Sequence, residues 1–367
     1  MIQTYSPTIR RKEMEAVLTC MVDEKIGPGE MNVRLLQTAK ELIGYDGGVA
    51  LRSPSLAVRY VMEALQLPKE SMVMISALAP SYLYITLENL GYKPLVLDVA
   101  EDTGLVTVEA CEKGMKEGGR LLILSETMGV LPDIESFLSL GIPIVEDISH
   151  SALSYYPSEE KEEEVKQPAV NADGTEAAPE KKLGRRAGMY GVYTIMAMED
   201  RDVITSGGGA LLFAPSRREW IVLKKIVDEA PSIDILPDMN AALAFVELKE
   251  FNRNEITRRE LFTVYSRAIM SGRHRSYVRA SDEGSTVYSF PLVLNSGFKD
   301  VKSYAQKKGI EVRQAYEDSV IAMKTEELSQ SCICAKSLLL RCALFPLYPR
   351  LGKKDVSVIA KVLSSLP

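Results

Sequence analysis

Two carboxylates and a histidine follow a short apolar run in the middle of the chain. Residues 143–147 predict a buried strand, which places Glu146, Asp147 and His150 at its carboxyl end. Ligands of open α/β sheets bind at that end of the strands. A carboxylate fixed there can hold a protonated heterocyclic nitrogen, such as that of a pyridine ring. The stretch therefore predicts one half of a cofactor site.

Each of these groups also has a purely structural interpretation. Asp147 could cap the turn that follows it, because Asp side chains satisfy local backbone donors. His150 could be a buried, hydrogen-bonded histidine. The glycine run at residues 207–209, further along the chain, could be a tight turn that binds nothing. The local pattern leaves both interpretations open.

Composition excludes several classes of protein. The 367 residues are enough for one large and one smaller domain, and the net charge of −6 gives no sign of the clustered basic face that nucleic acids need. We expect no membrane span, because no apolar run reaches about 18 residues, and the N-terminus lacks the pattern of a signal peptide. The five cysteines are scattered and lack zinc or redox spacing, so we expect reduced, mostly buried thiols, no metal site and a cytoplasmic protein.

Strands and helices are predicted to alternate through the first half of the chain, after helices at 11–24 and 31–43. Strands at 72–76, 93–98, 120–125 and 143–147 are separated by helices at 81–90, 106–116 and 133–140. This alternation is typical of a mostly parallel sheet with helices on both faces. A short strand at 49–51 precedes a helix that runs from about residue 53 to residue 65.

The second half predicts strands at 190–196 and 210–213 and helices at 216–230 and 240–270, the last of which should break or bend. A smaller α+β domain would follow, with strands at 287–294 and 310–312 and helices at 298–308 and 354–366. Pro291 places the first of these strands at a sheet edge. The acidic stretch at 157–183 lacks apolar periodicity and predicts a disordered surface insertion. We expect domains at residues 1–245 and 246–367.

Six groups of segments then point to one family. They are YSP and GPG at 5–7 and 27–29, LGYKPLVLD at 90–98, VEDISHS at 145–151, GMYG and TSGGG at 188–191 and 205–209, DMNAAL at 238–243, and LFPLYP at 344–349. In order and spacing the chain resembles the DegT/StrS-type sugar aminotransferases, which are pyridoxal-phosphate enzymes of fold type I. The resemblance covers nearly the whole chain except 157–183, and it implies that fold: a mostly parallel central sheet plus a smaller C-terminal domain.

The resemblance also implies roles for individual residues. Asp147 matches the aspartate that keeps the pyridine nitrogen protonated, which makes the ring an electron sink. His150 matches the residue that contacts the ring hydroxyl. Ser55 matches the threonine of the phosphate-binding turn, where a helix N-terminus receives the phosphate, although Ser53 or Ser55 could equally be only the helix N-cap.

Several positions depart from the family pattern. Pro54 replaces the glycine of the phosphate turn, and the ring-stacking aromatic position falls at Pro80, with Tyr82 nearby. A third departure is the partner-subunit loop, which reads Ser-Ile-Asp-Ile-Leu at residues 232–236.

The Schiff-base lysine is missing. Spacing from the neighbouring motifs places it at Arg201 or Asp202, and the chain has no lysine between Lys182 and Lys224. An arginine stays protonated and cannot form an imine, whereas the chemistry needs an amine whose pKa can fall. Arg201 could simply be solvated or ion-paired. The relatives that use this cofactor for dehydration carry a histidine there, and this chain does not.

Two functions are consistent with these residues. The first is a family member that has lost transamination and acts as a binding, regulatory or scaffold homologue. The second is a diverged enzyme that binds pyridoxal or pyridoxamine phosphate noncovalently, through Asp147 and His150, and acts on a nucleotide sugar in polysaccharide or cell-envelope biosynthesis. In either case the resemblance implies a homodimer, or pairing with an active paralogue.

Overall fold

The structure, a computed structural model, describes residues 1–157, 183–270, 272–278 and 284–367. The strands are β1 Gly47–Leu51, β2 Met72–Ser76, β3 Lys93–Leu97, β4 Gly119–Ser125, β5 Ile144–Asp147, β6 Tyr155–Pro157, β7 Leu183–Arg186, β8 Tyr193–Ala197, β9 Ala210–Ala214, β10 Phe290–Val293, β11 Arg313–Gln314 and β12 Cys342–Phe345.

The helices of the first two thirds of the chain are α1 Arg11–Val22, α2 Glu30–Ile43, α3 Pro54–Leu65, α4 Ser81–Asn89, α5 Val108–Lys116, α6 Ile134–Leu138, α7 Arg217–Asp228, α8 Asp238–Lys249 and α9 Phe251–Ile269. The remaining helices are α10 Phe298–Lys307, α11 Val320–Met323, α12 Thr325–Leu328, α13 Ile333–Arg341 and α14 Lys353–Leu363.

Seven strands form the central sheet in the order β1-β9-β8-β5-β4-β2-β3. The pairs β8–β5, β5–β4, β4–β2 and β2–β3 are parallel, and β9 runs antiparallel to both of its neighbours. The predicted mostly parallel sheet is therefore confirmed. Adjacent parallel strands end at one edge of the sheet, and Ser125 of β4 is the register partner of Asp147 of β5.

Both faces of this sheet are covered by helices. Successive side chains of a strand point to opposite sides, so each strand packs on both layers of helices. In β4, Leu122 and Leu124 belong to one apolar cluster with α2, α5 and α8, whereas Leu121 and Ile123 belong to another with α3, α4 and α7. All four side chains are buried. Strands of this kind read as continuous apolar runs, as the sequence predicted.

A second, three-stranded antiparallel sheet in the order β10-β12-β11 lies near the C-terminus and packs with α9, α10 and α14. The strand with Pro291 is at the sheet edge, as predicted. The predicted strand at 310–312 is wrong: Ile310 forms only an isolated bridge with Ile2, and β11 begins at Arg313. Residues 309–311 exchange main-chain hydrogen bonds with the N-terminal arm instead.

The predicted long helix at 240–270 does break, because α8 ends at Lys249 and α9 begins at Phe251. The domain boundary at residue 245 stays a prediction. Of the predicted disordered insertion at 157–183, residues 158–182 lie outside the described residues. Pro157 and Leu183 at its two ends are paired in the antiparallel hairpin of β6 and β7.

Two further expectations bear on the class of protein. All five cysteines are unpaired, and four of them are buried, with Cys334 half-buried. Among the helices of the described residues, none combines the length and the apolar character that crossing a bilayer requires.

The only tryptophan of the chain packs directly on the sheet edge. A Cβ placed on Gly47 of β1 would lie 2.1 Å from Cδ2 of Trp220, which belongs to α7. Contacts that short do not occur between real atoms, so the absent side chain of Gly47 is what lets the indole of Trp220 cover β1.

We therefore expect Gly47→Ala to displace the indole and to lower the free energy of unfolding by about 1–3 kcal/mol, the usual cost of overpacking. Denaturant unfolding followed by Trp220 fluorescence measures both effects. Gly27→Ala is the matched control, because a Cβ there meets no atom within 4 Å. Equal stability of the two variants, with unchanged emission, would contradict this account.

Candidate active site

A cavity of about 340 Å³ lies at the carboxyl ends of β4 and β5. Its walls come from seven stretches of the chain: Tyr5 of the N-terminal arm, residues 78–82 before and in α4, residues 125–128, residues 147–150, residues 197–202 at the end of β8 and after it, Tyr288, and residues 315–319. This is the position at which open α/β sheets bind ligands. Asp147, His150, Tyr82, Arg201 and Asp202 all line it.

Asp147 ends β5 and is held by two serines. Its Oδ1 accepts hydrogen bonds from the backbone N–H of Ser149 at 3.2 Å and from the Ser149 hydroxyl at 2.5 Å, and its Oδ2 accepts one from Ser125 Oγ at 3.1 Å. Burial raises the pKa of this carboxyl, and the bonds from Ser149 and Ser125 oppose that rise. Asp147 therefore caps the following turn, as its structural interpretation predicts, and lines the cavity as well.

His150 is neutral and fixed in orientation. The backbone N–H of Met128 donates to its Nδ1 at 3.2 Å, which leaves the proton on Nε2. The imidazole stacks on the ring of Tyr288, with centroids 3.8 Å apart and an interplanar angle of 16°. Burial lowers the pKa of His150 to about 4. Its Nε2 lies 3.9 Å from Oδ1 of Asp202, beyond hydrogen-bond distance.

Of the two positions predicted for the missing lysine, Asp202 is the inner one. Its side chain is 10% exposed, against 31% for Arg201. Asp202 Oδ2 accepts the backbone N–H of Glu199 at 2.7 Å. Burial raises the pKa of Asp202 to about 7, and the nearby carboxylates of Asp147 and Glu199 contribute to that rise.

Arg201 lies at the rim of the cavity and is engaged in ion pairs. Its Nη1 is 3.0 Å from Oδ2 of Asp318 and 3.3 Å from Oε1 of Glu317, and its guanidinium lies 5.0 Å from the centroid of the Tyr5 ring. This is the ion-paired arrangement that its structural interpretation predicts. The side chain joins the loop after β8 to the N-terminal arm and to the segment before α11.

Tyr82 contributes an unusual group to the cavity wall. Its hydroxyl is buried and has no hydrogen-bond partner among the described residues. Burial raises its pKa well above the usual value, and the carboxylates of Asp147 and Asp202, which line the same cavity, raise it further.

The structure does not bring the predicted phosphate turn to this cavity. Pro54 and Ser55 are absent from its described lining residues. Ser53, and not Ser55, is the N-cap of α3, because its Oγ accepts the backbone N–H of Leu56 at 3.3 Å. Pro54 is the first helical residue and has no N–H to offer a phosphate.

Sequence reasoning missed several lining residues. Glu126 directly follows β4, just as residues 148–150 follow β5, so the same strand-end rule could have found it. It accepts hydrogen bonds from Ser151 Oγ and, at 2.8 Å, from the Tyr156 hydroxyl. Burial holds the pKa of Glu126 well above its usual value. Tyr288 and Glu317 lie far along the chain and carried no local signal.

The chain is similar to known proteins both in its sequence family and in its fold. The model of the DegT/DnrJ/EryC1/StrS aminotransferase family matches residues 7–219 and 234–364. Among solved structures, the aminotransferase TlmJ from Streptoalloteichus hindustanus is similar over 99% of this chain and 98% of its own, with 16% identity and a TM-score of 0.83. At such low identity the likeness of solved structures shows the fold alone, and it confirms the predicted fold type I.

Two other solved structures agree. The pyridoxal-phosphate form of Spr1654 from Streptococcus pneumoniae is 15% identical, covers 98% of this chain and 96% of its own, and has a TM-score of 0.82. PseC of Helicobacter pylori, described as an aminotransferase involved in the biosynthesis of pseudoaminic acid, is 15% identical, covers 97% and 96%, and has a TM-score of 0.80.

The residues of this site fit only half of a pyridoxal-phosphate cofactor. Asp147 and His150, which the resemblance assigns to the ring nitrogen and the ring hydroxyl, both line the cavity. No lysine is among the described residues that line the cavity, and the one arginine there is already paired with two carboxylates. The capped N-terminus of α3 lies outside the cavity lining, so the cofactor's phosphate has no binding turn there. Without a lysine among the described lining residues, the covalent link does not fit either.

Asp202 should make the stability of the protein depend on pH. Its folded-state pKa is about 7, above the ordinary value near 4, so the folded state loses stability as pH rises between those values. Asp202→Asn removes this loss, and Asn can still accept the bond from Glu199. We expect a gain on the order of 3 kcal/mol at pH 8 and little gain at pH 4.

Denaturant unfolding at several pH values measures this difference. The control is Asp228→Asn on α7, a 60% exposed acid paired with Lys224, which should change stability little at any pH. A gain for Asp202→Asn that does not grow with pH would contradict the assignment.

Proposed function

Because the chain belongs to the DegT/DnrJ/EryC1/StrS aminotransferase family, we propose that it is a sugar-aminotransferase-like protein that binds a ligand in the family's cavity without transamination. It would act as a binding, regulatory or scaffold homologue. The observation that carries this proposal is the loop after β8, which places Arg201 and Asp202, and no lysine, at the cavity.

Neither residue can take over the missing chemistry. Imine formation needs an unprotonated amine, and the same amine must later move a proton. The guanidinium of Arg201 keeps its charge and is neutralised by Glu317 and Asp318 at the rim. Asp202 has no nucleophilic nitrogen at all. Transamination through a covalently held cofactor therefore lacks its central group in this cavity.

A diverged enzyme that holds pyridoxal or pyridoxamine phosphate noncovalently is the second candidate. Its support is the pair of Asp147 and His150, which remain in the cavity with fixed orientations. The substrate would be a nucleotide sugar, in polysaccharide or cell-envelope biosynthesis. The missing phosphate cradle weighs against this candidate.

Titration with pyridoxal phosphate followed by borohydride reduction and peptide mapping separates the candidates. We expect no saturable imine absorbance, and only scattered adducts on surface lysines, because no described lysine lines the cavity. A single stoichiometric adduct would overturn the proposal. Saturable binding without an adduct, weakened about tenfold or more by Asp147→Asn but not by Asp228→Asn, would favour the second candidate.

We further propose that the protein is a cytoplasmic homodimer. Unpaired cysteines support the compartment. The dimer is supported by an apolar stripe on the outer face of α1, where Met14, Leu18 and Met21 are 51%, 54% and 53% exposed. Their spacing places them on one helix face, and exposed apolar patches of this kind mark protein interfaces. An active paralogue is the alternative partner.

Leu18→Glu should therefore shift the protein toward the monomer, because it introduces a charge into the apolar stripe. We expect the dimer dissociation constant, measured by sedimentation or light scattering, to rise about tenfold or more. Val358→Glu on α14 is the control, since Val358 is also exposed, at 41%, but lies on another helix. A wild-type protein that is monomeric alone would point to the paralogue, and a dimer unaffected by Leu18→Glu would exclude this surface.

A further inference from the structure

The charge of the cavity is opposite to what a phosphate ligand requires. Seven carboxyl groups are among its described lining residues, against one arginine and no lysine. Arg201 is paired with Glu317 and Asp318, so it neutralises charge at the rim only. The remaining acids are Glu126, Asp147, Glu199, Asp200 and Asp202.

Two of these acids lie deep in the cavity and have no Lys or Arg side chain paired with them among the described residues. Asp147 is 3% exposed as a residue, and the Asp202 side chain is 10% exposed. Serine and backbone groups donate their hydrogen bonds, which stabilise a carboxylate but do not neutralise it. The nearest basic group is His150, which is neutral and 3.9 Å from Asp202. A positive charge is therefore what this end of the cavity lacks.

A second, independent observation points to a ligand at the same place. The buried hydroxyl of Tyr82 has no partner among the described residues, although Tyr82 lines the same cavity as Asp147 and Asp202. A buried hydroxyl that lacks a partner is unfavourable, because it has lost its hydrogen bonds to water. A protonated primary amine has three N–H donors, enough for both carboxylates and the phenol oxygen.

The remaining walls suit an organic cation. Tyr82 and Tyr316 line the cavity, and aromatic rings attract cations that lie over their faces. A metal ion is a poorer match, because the described residues contain no group of three or more His, Cys, Asp or Glu side chains arranged to hold one. An anionic ligand would be repelled by buried carboxylates in a medium of low dielectric.

We propose that this cavity binds a small organic ligand that carries a protonated primary amine and no phosphate, with the amine held between Asp147, Asp202 and Tyr82. The proposal rests on the proposed function, since it concerns the same cavity and assumes that no lysine adduct fills it. It assigns to Asp202, at a position where the family's lysine is expected, the role of an ammonium acceptor.

Three compounds that share one ring test this directly by calorimetry at pH 8. Pyridoxamine carries the amine without phosphate, pyridoxine replaces the amine with a hydroxyl, and pyridoxamine 5′-phosphate adds the phosphate. We expect pyridoxamine to bind about tenfold or more tightly than either of the others. Glucosamine against glucose is a second amine-to-hydroxyl pair, for which the same direction is expected.

The variants locate the amine. Asp202→Asn should weaken pyridoxamine about tenfold or more while leaving pyridoxine unchanged, and Tyr82→Phe should weaken pyridoxamine by a smaller factor. Asp228→Asn, on the surface, should change nothing. Because Asp202→Asn is expected to stabilise the fold, its loss of binding cannot be attributed to unfolding.

The outcomes distinguish this proposal from the proposed function. The amine site would be overturned by tighter binding of the phosphate compound or by equal binding of amine and hydroxyl. It would also be overturned if Asp202→Asn affected pyridoxine as much as pyridoxamine, or if both amines failed to bind at millimolar concentration. None of these results would show that the protein forms an imine, so the proposed function would stand. A stoichiometric lysine adduct would overturn the proposed function instead, whatever the order of these affinities.

Discussion

Buried carboxyl groups at the ends of the parallel strands organise this protein. Glu146, the penultimate residue of β5, is fully buried and accepts three backbone N–H groups, from Gly188, Tyr190 and Gly191, at 2.9, 2.7 and 2.5 Å. A carboxyl cannot be buried cheaply without such donors. The turn before β8 must therefore fold over the end of β5. Glu126 imposes a similar requirement on Ser151 and Tyr156.

These bonds build the cavity as a consequence. Successive residues of a strand point to opposite faces, so Glu146 anchors one loop while Asp147 lines the cavity on the other side. Ser125 of the adjacent strand can reach Asp147 because the two are register partners. Each acid thus immobilises a different segment, and the segments together enclose the site. The acidic character of the cavity begins with this way of holding its walls.

Much of the fold could be predicted from the local sequence pattern, and the predictions that were wrong have physical causes. The strand at 72–76 was predicted with its observed bounds, because a continuous apolar run has few other uses in a sheet buried on both faces. Residues 310–312 are apolar at two of three positions, yet the backbone N–H of Glu311 donates to Ile2, at the far end of the chain, where no local rule could find a partner. No strand was predicted for β12, whose last two residues belong to the LFPLYP motif at 344–349.

The residues of the candidate site likewise fall into those that a local pattern predicts and those that only tertiary packing brings together. Asp147 and His150 were found because they directly follow a strand, whereas Tyr288 and the acids at 317–318 reach the cavity only through tertiary packing. Pro54 and Ser55 were assigned by resemblance, and the structure leaves them outside the described lining. A motif transferred from a family can place a segment in the fold without placing its side chains in the site.

The loop after β8 is held by bonds that do not depend on which side chains it presents to the cavity. Main-chain bonds close this loop: Met198 N–H to the Gly209 carbonyl at 2.9 Å, and the N–H groups of Ser206 and Gly208 to the Met198 carbonyl at 3.0 and 3.1 Å. Gly207, Gly208 and Gly209 all have positive φ, so the turn needs their freedom. None of these bonds uses the side chain at 201 or 202. Asp202 adds one bond, from the backbone N–H of Glu199, but the main-chain closure does not depend on it. The chemistry of the cavity is therefore separable from the fold that supports it.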